Sequence, residues 1–97
     1  MVERAKQKEG MRMGKNVGFQ YRDRIIDIGL TVAALRKLKG YSQDDLAERA
    51  GISRQTLSLI ETPTVVHSFS VETLLRLADA LEVNAADLLN NTVPRGK

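Results

Sequence analysis

Apolar residues recur at helical spacing from Asp27 onward. Ile28, Val32, Leu35 and then Leu38 or Lys39 share one face, and Gly40 follows Arg36, Lys37 and Lys39 as a stop signal. This predicts a first helix over about 27–39. Ser42 then stands three residues before Asp45, a capping-box arrangement, and Leu46, Ala47 and Ala50 form an inward stripe for a second helix over about 43–50. Ser53 opens a third, about 54–61, with Leu57 and Ile60 inward. Pro63 lacks the amide donor a helix needs, so "TPTVVHSF" (62–69) reads as a loop. Ser70 caps a fourth helix to about Leu81, carrying Leu74, Leu77, Ala78 and Leu81 inward, and Asn84 caps a short fifth over about 85–90. The fold class expected is all-α, with five short helices.

The corner in "SQDDLAERAGISRQTLSLIE" carries the functional information. Gly51 is free to take the positive backbone angle that ends a helix, and Ile52 can then drop into the core as the chain reverses. Ala47 is small enough for the next helix to cross close above it. Two short helices joined by such a turn form a helix-turn-helix, whose second helix can project its outer face into a DNA major groove.

Composition narrows the alternatives. Ninety-seven residues suffice for one domain, and the absence of cysteine removes disulfides and cysteine-ligated zinc, in keeping with a reducing cytoplasm. No apolar run approaches a membrane span, and "MVERAKQKEG" lacks a secretory apolar stretch, so a soluble intracellular chain is expected. Residues 1–26 hold seven Lys/Arg against three Asp/Glu, whereas 27–97 hold eight against nine. Gly10, Gly14 and Gly18 interrupt the first of these segments, which reads as a largely flexible basic arm, ordering near the end of "VGFQYRDRII". Residues 27–90 make the domain and 91–97 a frayed tail. One histidine, no cysteine and no glycine-rich phosphate loop leave no catalytic set, so no enzyme, metal or organic cofactor is expected. With no sizeable second domain, no small-molecule sensor is expected either.

The stretch "IGLTVAALRKLKGYSQDDLAERAGISRQTLSLIE" followed by "SVETLLRLADALEV" resembles the lambda-repressor-like family of helix-turn-helix regulators, the phage Cro and repressor type with the related bacterial regulators and antitoxins. The likeness covers about residues 27–90 and requires the Ser-Gln opening, the Ala47 and Gly51 spacing and the downstream helix to coincide in order. It implies that Ser42 and Gln43 sit at a phosphate beside the free amides of a helix end. It implies base reading by Arg54, Gln55, Ser58 and Leu59, with Ser53 and Thr56 nearer the backbone. It also implies an inward ion pair between Arg36 and Glu61.

Side-chain chemistry agrees with this placement. Arg can fork onto guanine O6 and N7, Gln can pair with adenine N6 and N7, and Leu59 can lie against a thymine methyl. The alternatives are that Arg54 and Gln55 are simply polar residues on a wet face and that Leu59 packs on the loop or a partner chain. After Glu61 the family commonly turns with Asn-Gly and then supplies cations, but here no Lys or Arg lies between Arg54 and Arg76. Phosphate contact in this loop therefore falls to Thr62, Thr64 or His67. His67 has no second His or Cys with which to share a metal.

Asp44 and Asp45 suit the positive end of the second helix but compete there with a phosphate. Arg22, Arg24 and Lys15 are expected to compensate by contacting the DNA backbone. One helix in one groove reads few base pairs, so double-stranded DNA as partner calls for a homodimer on a near-palindrome. Leu88, Leu89 and Val93, with Val65, Val66 or Phe69, are the apolar candidates for that contact, Leu88 having plain core as its alternative. The competing reading is an antitoxin or bridging module using the same fold to hold a protein.

Overall fold

The computed structural model describes residues 12–93, with side chains from Tyr21 onward. Five helices and no strand occur among the described residues: α1 (Arg12–Leu38), α2 (Gln43–Ala50), α3 (Arg54–Glu61), α4 (Val71–Leu81) and α5 (Ala85–Leu89).

Helix ends follow the local chemistry. The Ser42 hydroxyl accepts from the Asp45 amide at 3.0 Å while the Asp45 carboxylate accepts from the Ser42 amide at 3.0 Å, closing the box that starts α2. Ser53 and Ser70 accept from the amides of Thr56 and Thr73 in the same way. Gly51 ends α2 with φ at 72°, and its amide and that of Ile52 satisfy carbonyls of the last turn. At α5 the Asn84 amide donates to Asp87 Oδ2 at 3.3 Å.

α1 departs from the expectation. It begins at Arg12, not near 27, so residues 12–26 are helical. Gly14 and Gly18 cost only about 1 kcal/mol each in a helix interior, and extending a helix already anchored by packing needs no new nucleus. Ile28 packs against the core, and half-buried Ile25 lines with it a cleft of about 170 Å³ shared with Phe69, Val71, Leu74 and Leu89. Residues 1–11 of the expected arm lie outside the described residues, as do the last four of the tail.

The core joins all five helices: Val32 and Leu35 from α1, Leu46, Ala47 and Ala50 from α2, Leu57 and Ile60 from α3, Leu74, Leu77, Ala78 and Leu81 from α4, and Leu88 from α5. Ile52 packs on its edge, as the corner requires. Leu38 is a correction: it is 61% exposed, because α1 ends there and the chain turns away through Gly40. Leu88 is fully buried core and so cannot serve as a surface contact. No helix among the described residues is long and apolar enough to cross a membrane.

Candidate nucleic-acid interface

α3 is an eight-residue helix standing on three buried residues, Leu57, Ile60 and Glu61. With those positions turned inward at 3.6-residue spacing, Gln55 and Leu59 fall on the opposite face, while Arg54, three residues before Leu57, lies to the side and is exposed as the first residue of the helix. Gln55 is exposed too, while Ser58 and Leu59 are half-buried. Four residues predicted to read bases therefore fall on one helix, with two of them open to solvent and two half-buried. Ser53 is exposed, and its hydroxyl is engaged in capping, donating to Thr56 Oγ1 at 2.8 Å while accepting the Thr56 amide. Thr62 donates its hydroxyl to the Ser58 carbonyl at 2.6 Å, so that group too is turned to its own helix. Thr64 is exposed and His67 half-buried in the loop that follows.

The rear of α3 is braced by a network centred on Glu61. Arg36 donates from Nε to Glu61 Oε2 at 2.9 Å and from Nη2 to Oε1 at 3.0 Å, the expected inward ion pair in bidentate form. Its Nη1 donates to the Tyr41 carbonyl at 2.8 Å. Gln43 Nε2 also donates to Glu61 Oε1, at 2.9 Å. Through Arg36 and Gln43, one carboxylate thus ties α1 and the first residue of α2 to the end of α3, and Arg36 also holds the turn before α2. Only 5% of its side chain is exposed, and that of Arg36 is 12% exposed. Gln43, predicted at a phosphate, has one amide hydrogen spent on this brace and a second remaining.

Three further contacts escaped sequence reasoning. Gly29 of α1 lies against the Ile60 backbone so closely that no Cβ fits. Arg76 of α4 places Nη1 at 3.4 Å from the Ala50 carbonyl, at the negative end of α2, while its other nitrogens hold Glu72. Arg54 and Asp44 form an ion pair across the corner at 3.2 Å. Each links residues far apart in the chain or chosen by tertiary geometry, so no local pattern announces it.

Electrostatics at the start of α2 are set by the Ser42–Asp45 box. The Asp45 carboxyl is held below its ordinary value of 3.8, first by the Ser42 amide and then by the Ser42 hydroxyl, both of which stabilise the carboxylate. Arg22 is half-buried and Arg24 exposed on α1; Lys15 lies on that helix too, its side chain outside the described set. Among the described residues no group of three or more His, Asp or Glu is placed to hold a metal.

Comparison with known proteins fits this geometry. The chain is 38% identical over 63 residues to the HTH-type transcriptional regulator SinR of Bacillus licheniformis, covering 65% of this chain and 56% of that protein. It is also 38% identical over 69 residues to the uncharacterized HTH-type transcriptional regulator y4dJ of Sinorhizobium fredii, covering 67% of this chain and 82% of that one. The chain thus spans little more than half the length of the first relative and most of the second. The sequence profile of the helix-turn-helix family matches residues 32–88, the span from the first core residue of α1 to the last of α5. With that match and the two-helix corner at Gly51, the chain belongs to the Cro/C1-type helix-turn-helix family.

Proposed function

We propose that the protein is a sequence-specific DNA-binding transcriptional regulator, acting as a repressor that occupies a near-palindromic operator as a homodimer. α3 enters the major groove. The observation that carries this is the exposure of Arg54 and Gln55 on a capped helix whose back is fixed by Leu57, Ile60 and the Arg36–Glu61 pair. A rigid helix loses little freedom on binding, so its polar groups can be spent on base edges. Arg54 reads guanine and Gln55 adenine, with Ser58 and Leu59 on the flank. Gln43, Ser42, Ser53 and Thr56 face the phosphates on either side. Such a protein works in the cytoplasm, with no catalytic step and no cofactor.

A second copy is the natural partner for the apolar surface away from α3. Val71 and Leu89 are 70% and 52% exposed and line the same cleft as Phe69 and Ile25. Dimerisation through this face buries them and supplies the second reading helix. The alternative use of the fold, gripping a protein such as a toxin, draws on Val65 and Val66, which are 40% and 39% exposed in the loop after α3.

The test is binding of the purified chain to its own upstream region and to random duplex across a salt series. Arg54→Ala and Gln55→Ala should each reduce the preference for the upstream site about tenfold, within the range for losing a bidentate base contact. Unaltered preference in both variants would remove α3 from base reading.

A further inference from the structure

Arg54 is not free on the exposed face of α3. The Asp44 carboxylate stands at its Nε edge, with Nε to Oδ1 at 3.2 Å. Both partners sit on fixed backbone. Asp44 is the second residue of α2, in a first turn closed by the Ser42–Asp45 box and next to Gln43, which is bonded to Glu61. Arg54 is the first residue of α3, immediately after the Ser53 cap. The pair therefore spans the corner between two helices whose ends are both defined.

The side of the guanidinium that the charge approaches matters. A guanidinium offers donors along the Nε side and across the Nη1 and Nη2 end. Guanine presents O6 and N7 side by side in the major groove, a match for two parallel N–H groups. The carboxylate comes closest to Nε, the guanidinium nitrogen nearest the backbone, and the Nη groups beyond it are the ones offered to the base. A carboxylate there also repels phosphate oxygens, so a phosphate gains less from capturing Arg54 than it would from an unpaired arginine.

We infer that Asp44 is a positioning residue for base recognition: it holds Arg54 so that both Nη groups meet O6 and N7 of one guanine, and it keeps the arginine off the phosphates. This rests on the reading that α3 enters the major groove. In the free protein both side chains are largely exposed, 63% and 77%, and water screens the pair. Docking on DNA excludes that water, so the constraint tightens when the base is being read.

Selection from a randomised duplex pool, with wild type, Asp44→Asn, Asp44→Ala, Asp44→Glu and Arg54→Ala, tests the assignment. Arg54→Ala should abolish guanine preference at one position of each half-site. Asp44→Asn and Asp44→Ala should reduce guanine discrimination at that same position about two- to fivefold, the scale of a single exposed pair. Other positions should keep their preferences, affinity for random duplex should rise, and Asp44→Glu should restore part of the discrimination. A merely structural or overall electrostatic role would move all positions together. If Arg54→Ala loses guanine while the Asp44 variants keep it, the positioning role is refuted and base reading by Arg54 stands. If Arg54→Ala changes no position, the groove reading itself falls and the role of Asp44 with it.

Discussion

Gly29 and Ile60 touch backbone to backbone: a Cβ on Gly29 would overlap the Ile60 carbonyl oxygen outright. Two turns later on the same face of α1, Arg36 grips Glu61, the residue after Ile60. Side chains on a helix lean towards its N-terminus, so Arg36 reaches back to the point where Gly29 has let α3 approach. α3 is thereby docked by a missing side chain and a long one.

Gly29→Ala should destabilise the fold even though alanine is the better helix former. The propensity gain is about 1 kcal/mol. The overlap is with backbone, which cannot rotate away, and overpacking of this kind costs about 1–3 kcal/mol or more. A lower urea midpoint, accompanied by weaker operator binding because α3 has been pushed outward, is the expected result. A midpoint equal to or above wild type would show that α1 and α3 are not in this contact.

Glu61→Ala should cost about 3 kcal/mol, since it leaves the largely buried Arg36 charge uncompensated and frees Gln43. The double variant Arg36→Met, Glu61→Leu should recover much of that loss by replacing the pair with apolar contacts. Denaturation of the three proteins, compared as a cycle, separates the cost of an orphaned charge from the worth of the pair.

Acid should loosen the start of α2. Asp45 titrates below 3.8 in the folded chain, so the unfolded chain binds its proton first as pH falls. The contribution of the box is complete above 3.8 and is lost as pH drops from there through the lowered folded value. Asp45→Asn should flatten the stability profile in that window, and an unchanged profile would exclude Asp45 as a source of acid sensitivity.

Arg22 and Arg24 lie on α1 and belong to a basic segment absent from the rest of the chain. If both meet phosphates, Arg22→Gln with Arg24→Gln should lower the slope of log affinity against log salt by about 2, uniformly across sequences. The same slope in wild type and variant would detach this helix from the DNA backbone.

If the proposed dimer closes through the cleft at Phe69, Val71→Glu with Leu89→Glu should shift the chain to monomer in sedimentation experiments and weaken operator binding, while leaving thermal melting of the dilute monomer within about 0.5 kcal/mol of wild type, as expected for exposed positions. A dimer that survives both charges would place the contact elsewhere on the surface.

Helices α2 to α4 were legible residue by residue because their signals are contiguous. Ser42 with Asp45, Ser53, Ser70 and Gly51 each satisfy or redirect backbone groups within a few positions, and a 3.6-residue period is enough to turn Leu57 and Ile60 inward and Gln55 outward, Arg54 being exposed as the first residue of its helix. The true start of α1 was not legible, because Gly14 and Gly18 are local stop signals that a helix anchored downstream, from Ile28 onward, can outweigh. Tertiary structure alone decided the rest. Gly29 against Ile60, Gln43 on Glu61, Arg76 on the end of α2 and Asp44 beside Arg54 each join different elements. Local sequence determines where a helix can begin, end and hide its apolar face; which polar groups then meet depends on how those faces cross, and that crossing is settled only when the whole core closes.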